Sequence, residues 1–167
     1  MSRLPLPALT IIGALAACAP VRDPPAAAAY AATTAPRVGD VIGTDTSGKG
    51  AIYCSWMMYD AVLDVAERCF PDRDAALRLE LARSLARTDR FIIANSETPI
   101  TQEQLDARRA AMRAETQRIA ARSGDMCRDP EMLRFYEAFR ALGADKIRAG
   151  NDDLLSIPRK PVADPCV

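Results

Sequence analysis

Between Ala51 and Gly150 the large apolar residues return at three- and four-residue steps and strand-like alternation is missing, a period that admits helices and disfavours a sheet. Four segments emerge. The first runs from about Ile52 to Cys69 and is apolar over much of its circumference through Tyr53, Trp56, Met57, Val62, Leu63 and Val65, so it should be the most buried. Pro71-Asp72 then breaks the chain. Asp72 is the expected N-cap of a second helix that continues to about Ala94, with Leu77, Leu81, Leu85 and Ile92 in step. Asn95 to Thr101 reads as a loop around Pro99, and Thr101 with Gln104 forms a capping-box pattern opening a third helix that ends near Ser123-Gly124. Asp129-Pro130 supplies a cap followed by proline at the first helical position of a fourth, which carries Met132, Phe135, Tyr136 and Phe139 on one face and should stop by Gly150. The segments are each about 27 to 33 Å long at the usual helical rise. Matched lengths and short loops predict an all-α domain over residues 51–150, a small antiparallel four-helix bundle in up-down-up-down order.

Ahead of this domain stand a basic start at Arg3, an apolar run from Ala8 to Ala17, and Cys18. The run is too short to span a bilayer and has the profile of a signal peptide. Leu15-Ala16-Ala17-Cys18 resembles the lipobox of bacterial lipoproteins, a resemblance confined to these 18 residues. It implies removal of residues 1–17 and attachment of acyl chains to Cys18, with two or three chains holding the protein stably at a membrane. Ala19 stands where such proteins carry Asp when retained at the inner membrane. The resemblance therefore implies an outer-membrane location facing the periplasm. Residues 18–50 are rich in Ala, Pro, Thr and Gly and nearly devoid of large apolar side chains, so they are expected to form a disordered, flexible tether.

With Cys18 assigned to lipid, Cys54, Cys69, Cys127 and Cys166 remain, an even number in an oxidising compartment, which reads as two disulfides. Three connectivities exist. Cys54 and Cys69 lie about 22 Å apart on one continuous helix, whereas a bridge needs Cα atoms within roughly 7 Å. In an antiparallel bundle the end of the first helix lies beside the turn between the third and fourth, which pairs Cys69 with Cys127. Cys54 is then left for Cys166, a bond that pins the Pro-rich tail, residues 151–167, across the bundle.

The chain has no His, which removes the commonest general base, the commonest metal ligand and every Ser/His or Cys/His nucleophile pair. Lys plus Arg equals Asp plus Glu at 22 each, with no basic stretch, so no nucleic-acid partner is expected. Haem, redox, phosphate-loop and serine-hydrolase motifs are missing; no catalytic residue, metal ligand or cofactor is assigned. Asp60, Asp64 and Glu67 recur at helical spacing and read as a solvated face rather than an acid/base or metal site. Tyr53, Trp56 and Tyr59 read as core filling against Phe135, Tyr136 and Phe139 rather than a stacking platform. The methionines, including Met57-Met58 and Met126, suggest soft copper chemistry but lack a repeating ligand motif; gap filling is the expected role.

The third helix is the odd one. Leu105, Met112 and Ile119 are its only large apolar residues, and Arg108, Arg109, Arg113, Arg118 and Arg122 stand between them. A narrow apolar seam flanked by Arg suits docking to a partner, which makes Leu105, Arg109, Met112, Arg113 and Ile119 the candidate partner surface. The competing account is a bundle helix whose Arg stems cover the core and pair with Asp106 and Glu115. The sequence thus points to a lipid-anchored, non-enzymatic envelope protein acting by contact with another envelope component. Two other readings stand beside it: a periplasmic inhibitor or immunity protein, and a ligand carrier or carboxylate-based enzyme with a cleft in the bundle. The last requires a sizeable pocket lined by carboxylates or by exposed faces of Tyr53, Trp56 and Tyr59.

Overall fold

The computed structural model describes residues 43–164 and 166. The expected signal peptide, Cys18 and the expected tether as far as residue 42 lie outside the described residues. Four helices follow in order: α1 (Ile52–Cys69), α2 (Ala75–Asn95), α3 (Gln102–Ser123) and α4 (Pro130–Leu154), with a 3-10 turn at Met126–Arg128 before α4. No strand occurs among the described residues beyond an isolated parallel bridge between Thr44 and Asp164.

Side-chain pairings fix the directions. Trp56 near the start of α1 meets Asp89 late in α2, so those helices run antiparallel, while Trp56 and then Asp60 of α1 meet Arg109 and then Arg113 of α3, so these two run parallel. Tyr136 early in α4 bonds to Asp74 at the head of α2, and Asn151 late in α4 bonds to Thr88 late in α2, so these two are parallel. The result is the expected antiparallel bundle. Its centre holds Ile52, Trp56, Val62, Leu81, Ile92, Leu105 and Tyr136, none detectably exposed, each contributing on the order of 1.5–3 kcal/mol of burial. Tyr53, Trp56 and Tyr59 are core residues: Tyr59 meets Phe139 edge-on at 6.1 Å and Phe70 stacks on Tyr136 at 4.5 Å.

Both disulfides take the expected connectivity, Cys54 with Cys166 at a Cα separation of 5.2 Å and Cys69 with Cys127 at 5.3 Å. They stitch opposite ends of α1. The capping box is present, with Gln104 N–H donating to Thr101 Oγ1 and Thr101 N–H donating to Gln104 Oε1. Asp129 caps α4 by accepting from the N–H groups of Glu131 and Met132, with Pro130 at the first helical position.

Three local expectations need correction. Asp72 does not cap α2: the helix starts at Ala75, and the residue before it, Asp74, adopts a left-handed backbone (φ 52°) with its carboxylate turned away to the Tyr136 hydroxyl and Arg140. That tertiary partner outcompetes a local cap. α4 runs past Gly150 to Leu154 because Gly143, at φ 76°, absorbs a kink, and beyond it Asn151 and Leu154 are buried. Asn151 donates to Thr88 Oγ1 at 3.1 Å and accepts from Arg87 Nε at 2.9 Å.

Lastly, residues 43–50, which composition assigned to the tether, are packed onto the domain. Asp45 N–H donates to Asp164 O at 2.7 Å, and Arg159 reaches both the Asp45 carboxylate and Gly50 O. Gly43 lies so close to Val162 that a Cβ there would meet Val162 Cγ1 at 2.8 Å. α1 has no side-chain N-cap. Its first-turn Tyr53 N–H instead donates to Val162 O of the tail at 3.0 Å, which explains how a helix opening on Ala51-Ile52 is satisfied.

Candidate functional site

Asp60, Asp64, Glu80 and Asp89 are buried residues whose carboxylates are each met by arginine, as is the equally covered Asp45 side chain by Arg159. Asp60 accepts from Arg113 Nη2 at 2.7 Å and Nε at 3.1 Å, and Asp64 accepts from Arg68 Nε at 2.7 Å. Asp89 accepts from Trp56 Nε1 at 2.7 Å, from Arg109 Nη1 at 2.7 and 2.8 Å, and from Gln102 at 2.9 Å. Glu80 takes Arg87 at 2.7 Å. Unpaired, each would carry a desolvation penalty of several kcal/mol; paired, they fix which helix faces meet.

This overturns the solvated-face reading of α1: Asp60 and Asp64 are 1 % and 4 % exposed, and of that trio only Glu67 is exposed. It also turns most of the candidate partner surface inward. Leu105 is fully buried, Met112 packs against the core, Arg109 lies over the Trp56 ring at 5.6 Å while holding Asp89, and Arg113 holds Asp60. Arg109 also pairs with Asp106, and Arg118 with Glu115, as the competing account of α3 expected. Ile119 alone of the five stays outside, 53 % exposed.

Ile119 lies in a groove of about 490 Å³ where α3 ends and α4 begins. Ala120, Met126, Pro130 and Met132 give it an apolar floor, and Arg128, its side chain 87 % exposed, stands at the rim. The groove forms because Gly124, at φ 130°, ends α3 and the 3-10 turn follows at once, bonded to Cys69 through Cys127. Asp125 and Asp129 also line it but are occupied locally, accepting from backbone N–H groups of Cys127, Glu131 and Met132. Sequence reasoning found Ile119 and missed Met126, Pro130 and Met132 as its companions, since the seam was sought along one helix and the groove spans a corner.

Sharing Thr116 and Met132 with this groove is a smaller cavity of about 50 Å³ among α1, α3 and α4. It is far below the roughly 300–1,000 Å³ of small-molecule pockets, and the rings of Tyr53, Trp56 and Tyr59 are packed away. Among the described residues, the cavity bordered by Asp60 and Asp64 is thus too small for a small-molecule ligand. Among the described residues no three His, Cys, Asp or Glu are grouped to hold a metal ion, and no helix is long and apolar enough to cross a membrane. Comparison with family models, curated proteins and solved structures returned no match. The functional reading therefore rests on the chain's own chemistry.

Proposed function

We propose that this chain is an exported lipoprotein of the bacterial envelope, held to a membrane by acyl chains on Cys18, that works by contact, offering the α3–α4 groove to an apolar anchor of another envelope protein. The carrying observation is the cysteine pairing. Four of the five cysteines bond to one another in bridges that persist in oxidising compartments, leaving Cys18 as the odd one, at the end of an apolar leader and inside a lipobox-like sequence. The geometry supports the contact half of the reading. Gly43, where the tether joins the domain, lies beside the start of α1, and the groove lies at the Cys69–Cys127 end, about 27 Å away along an 18-residue helix. A membrane-tied bundle of this kind would present the groove away from its anchor.

The test has two arms. Radiolabelled palmitate should enter the wild-type chain and fail to enter Cys18→Ala, which should leave the membrane fraction. A photocrosslinking residue at Ile119 should yield a discrete protein adduct in intact cells, while the same residue at Leu79, exposed on α2, should not. Unlabelled wild type removes the anchoring claim; no adduct at Ile119 removes the groove.

A further inference from the structure

The methionines that look scattered in sequence are gathered by the fold. Met57 of α1, Met112 of α3 and Met132 of α4 line the 50 Å³ cavity together with Asp60, Asp64 and Arg113. Met126 lies in the adjoining groove, so four of the six methionines occupy one corner of the molecule. We propose that this cavity binds a single soft monovalent metal ion, cuprous copper, through the thioether sulfurs of Met57, Met112 and Met132.

Three properties of the cavity lead there. At about 50 Å³ it has room for an ion or a few water molecules and too little for an organic ligand. Its donors are thioethers brought from three separate helices, and thioether sulfur selects copper(I) over hard divalent cations, which demand six or more oxygen ligands. The carboxylates cannot supply such a shell because Asp60 and Asp64 already accept from Arg113 and Arg68. The charge also suits a monovalent cation: of the residues that line the cavity, Asp60 and Asp64 carry two negative charges against the one positive charge of Arg113. Plain gap filling accounts for any one of these side chains. It gives no reason for residues of three helices that line the same small void all to be methionine.

Binding is independent of where the protein is anchored, so the experiment is separate from that for the contact function. The full chain carrying Cys18→Ser, both disulfides intact, is purified in detergent and titrated without oxygen, with silver(I) as a redox-inert probe and with copper(I) against a chromophoric chelator. Methyl-labelled methionine resonances report the site. One equivalent should shift Met57, Met112 and Met132 and leave Met58, which packs on the separate Ala51, Cys54 and Val162 cluster. Met112→Leu, close in volume, should weaken binding by at least about tenfold, since even an outer-shell partner is worth that much, and Met58→Leu should leave it unchanged. Thermal melts and disulfide maps of each variant guard against misfolding. Shifts shared evenly with Met58, no shift at one equivalent, or a triple Met57, Met112 and Met132→Leu variant that binds as tightly as its parent would each overturn the proposal.

Discussion

Arg113 on α3 donates through Nη2 to Oδ1 of Asp60 on α1 at 2.7 Å, and the Asp60 side chain is 2 % exposed against 26 % for its partner. Burial disfavours the guanidinium charge, yet the Asp60 hydrogen bond and the Asp60, Asp64 and Glu67 carboxylates outweigh it and hold Arg113 above its usual pKa. α3 has only one fully buried large apolar residue, Leu105, so this ionic link carries much of its register. Arg113→Ala should cost about 3 kcal/mol, the lower end of the range for breaking a buried pair because Arg113 is partly solvated. Asp60→Leu combined with Arg113→Met should recover most of that loss. Urea denaturation followed by Trp56 fluorescence measures both, and an unmoved midpoint for Arg113→Ala would show that the pair contributes nothing.

Asp89 sets the second tie. It accepts from the Trp56 indole and from Arg109, whose guanidinium lies over the same ring. If α3 presented Arg109 and Arg113 outward, reversing their charge would leave the melting temperature alone. The observed pairing predicts the opposite. Arg109→Glu should set two carboxylates against each other at a buried site, lower stability by at least about 3 kcal/mol, and red-shift Trp56 emission as the indole is hydrated. A variant that melts like wild type would restore the outward reading.

The fold was legible where a local rule coincided with a tertiary need. Leu77, Leu81, Leu85 and Ile92 kept helical step and are buried, Thr101 with Gln104 capped α3, and the reach of a helix alone forbade Cys54 from meeting Cys69. Misreadings fell where a distant partner decided. Asp60 and Asp64 resemble a solvated stripe until Arg113 arrives from 49 or more residues away, and the cap expected of Asp72 is not made because α2 starts after Asp74, whose carboxylate is held by Tyr136. Residues 43–50 contain almost nothing apolar, and their order comes from Asp45, Arg159 and the tail, a pairing no composition window encodes. The groove was legible only through Ile119, because its other residues belong to different elements.

Asp74 and Tyr136 make stability depend on pH in two windows. The Tyr136 hydrogen bond, with help from Arg140 against some burial, holds the Asp74 carboxyl below its ordinary 3.8. Burial, then the hydrogen bond and charge of Asp74, push Tyr136 up to about 12. A depressed carboxylate contributes above its unfolded pKa, and that contribution fades as pH falls through the folded value. A raised phenol contributes below 10 and loses that contribution as pH climbs towards about 12. Tyr136→Phe should therefore flatten both arms of a stability–pH curve. The alkaline arm should only be reduced, because burial also raises Tyr53 and Tyr59. Equal slopes in wild type and variant above pH 10 would contradict the assignment.

The strap formed by residues 43–50 and the C-terminal tail should be the first part of the domain to open. It is held by the Asp45–Arg159 pair at 2.9 Å, by main-chain bonds from Asp45 to Asp164 O and from Tyr53 to Val162 O, and by the Cys54–Cys166 bridge, of which Cys54 is buried and Cys166 exposed. Cys69 and Cys127 are both half-buried, so a reductant should meet Cys166 first. Burial pushes the Asp45 carboxyl up, but the Ser47 hydroxyl, the Gly50 N–H and Arg159 together hold it below 3.8. Its contribution is thus present above that value and is lost as pH falls through the lower folded one. A phosphine reductant, which works in acid, should open Cys54–Cys166 before Cys69–Cys127 at neutral pH, and its lead should widen well below pH 3.8. Asp45→Asn should bring the acid behaviour to neutral pH by leaving Arg159 without its counter-charge. Alkylation and peptide mass mapping separate the two bonds, and simultaneous opening in the wild type would mean that strap and bundle unfold as one unit.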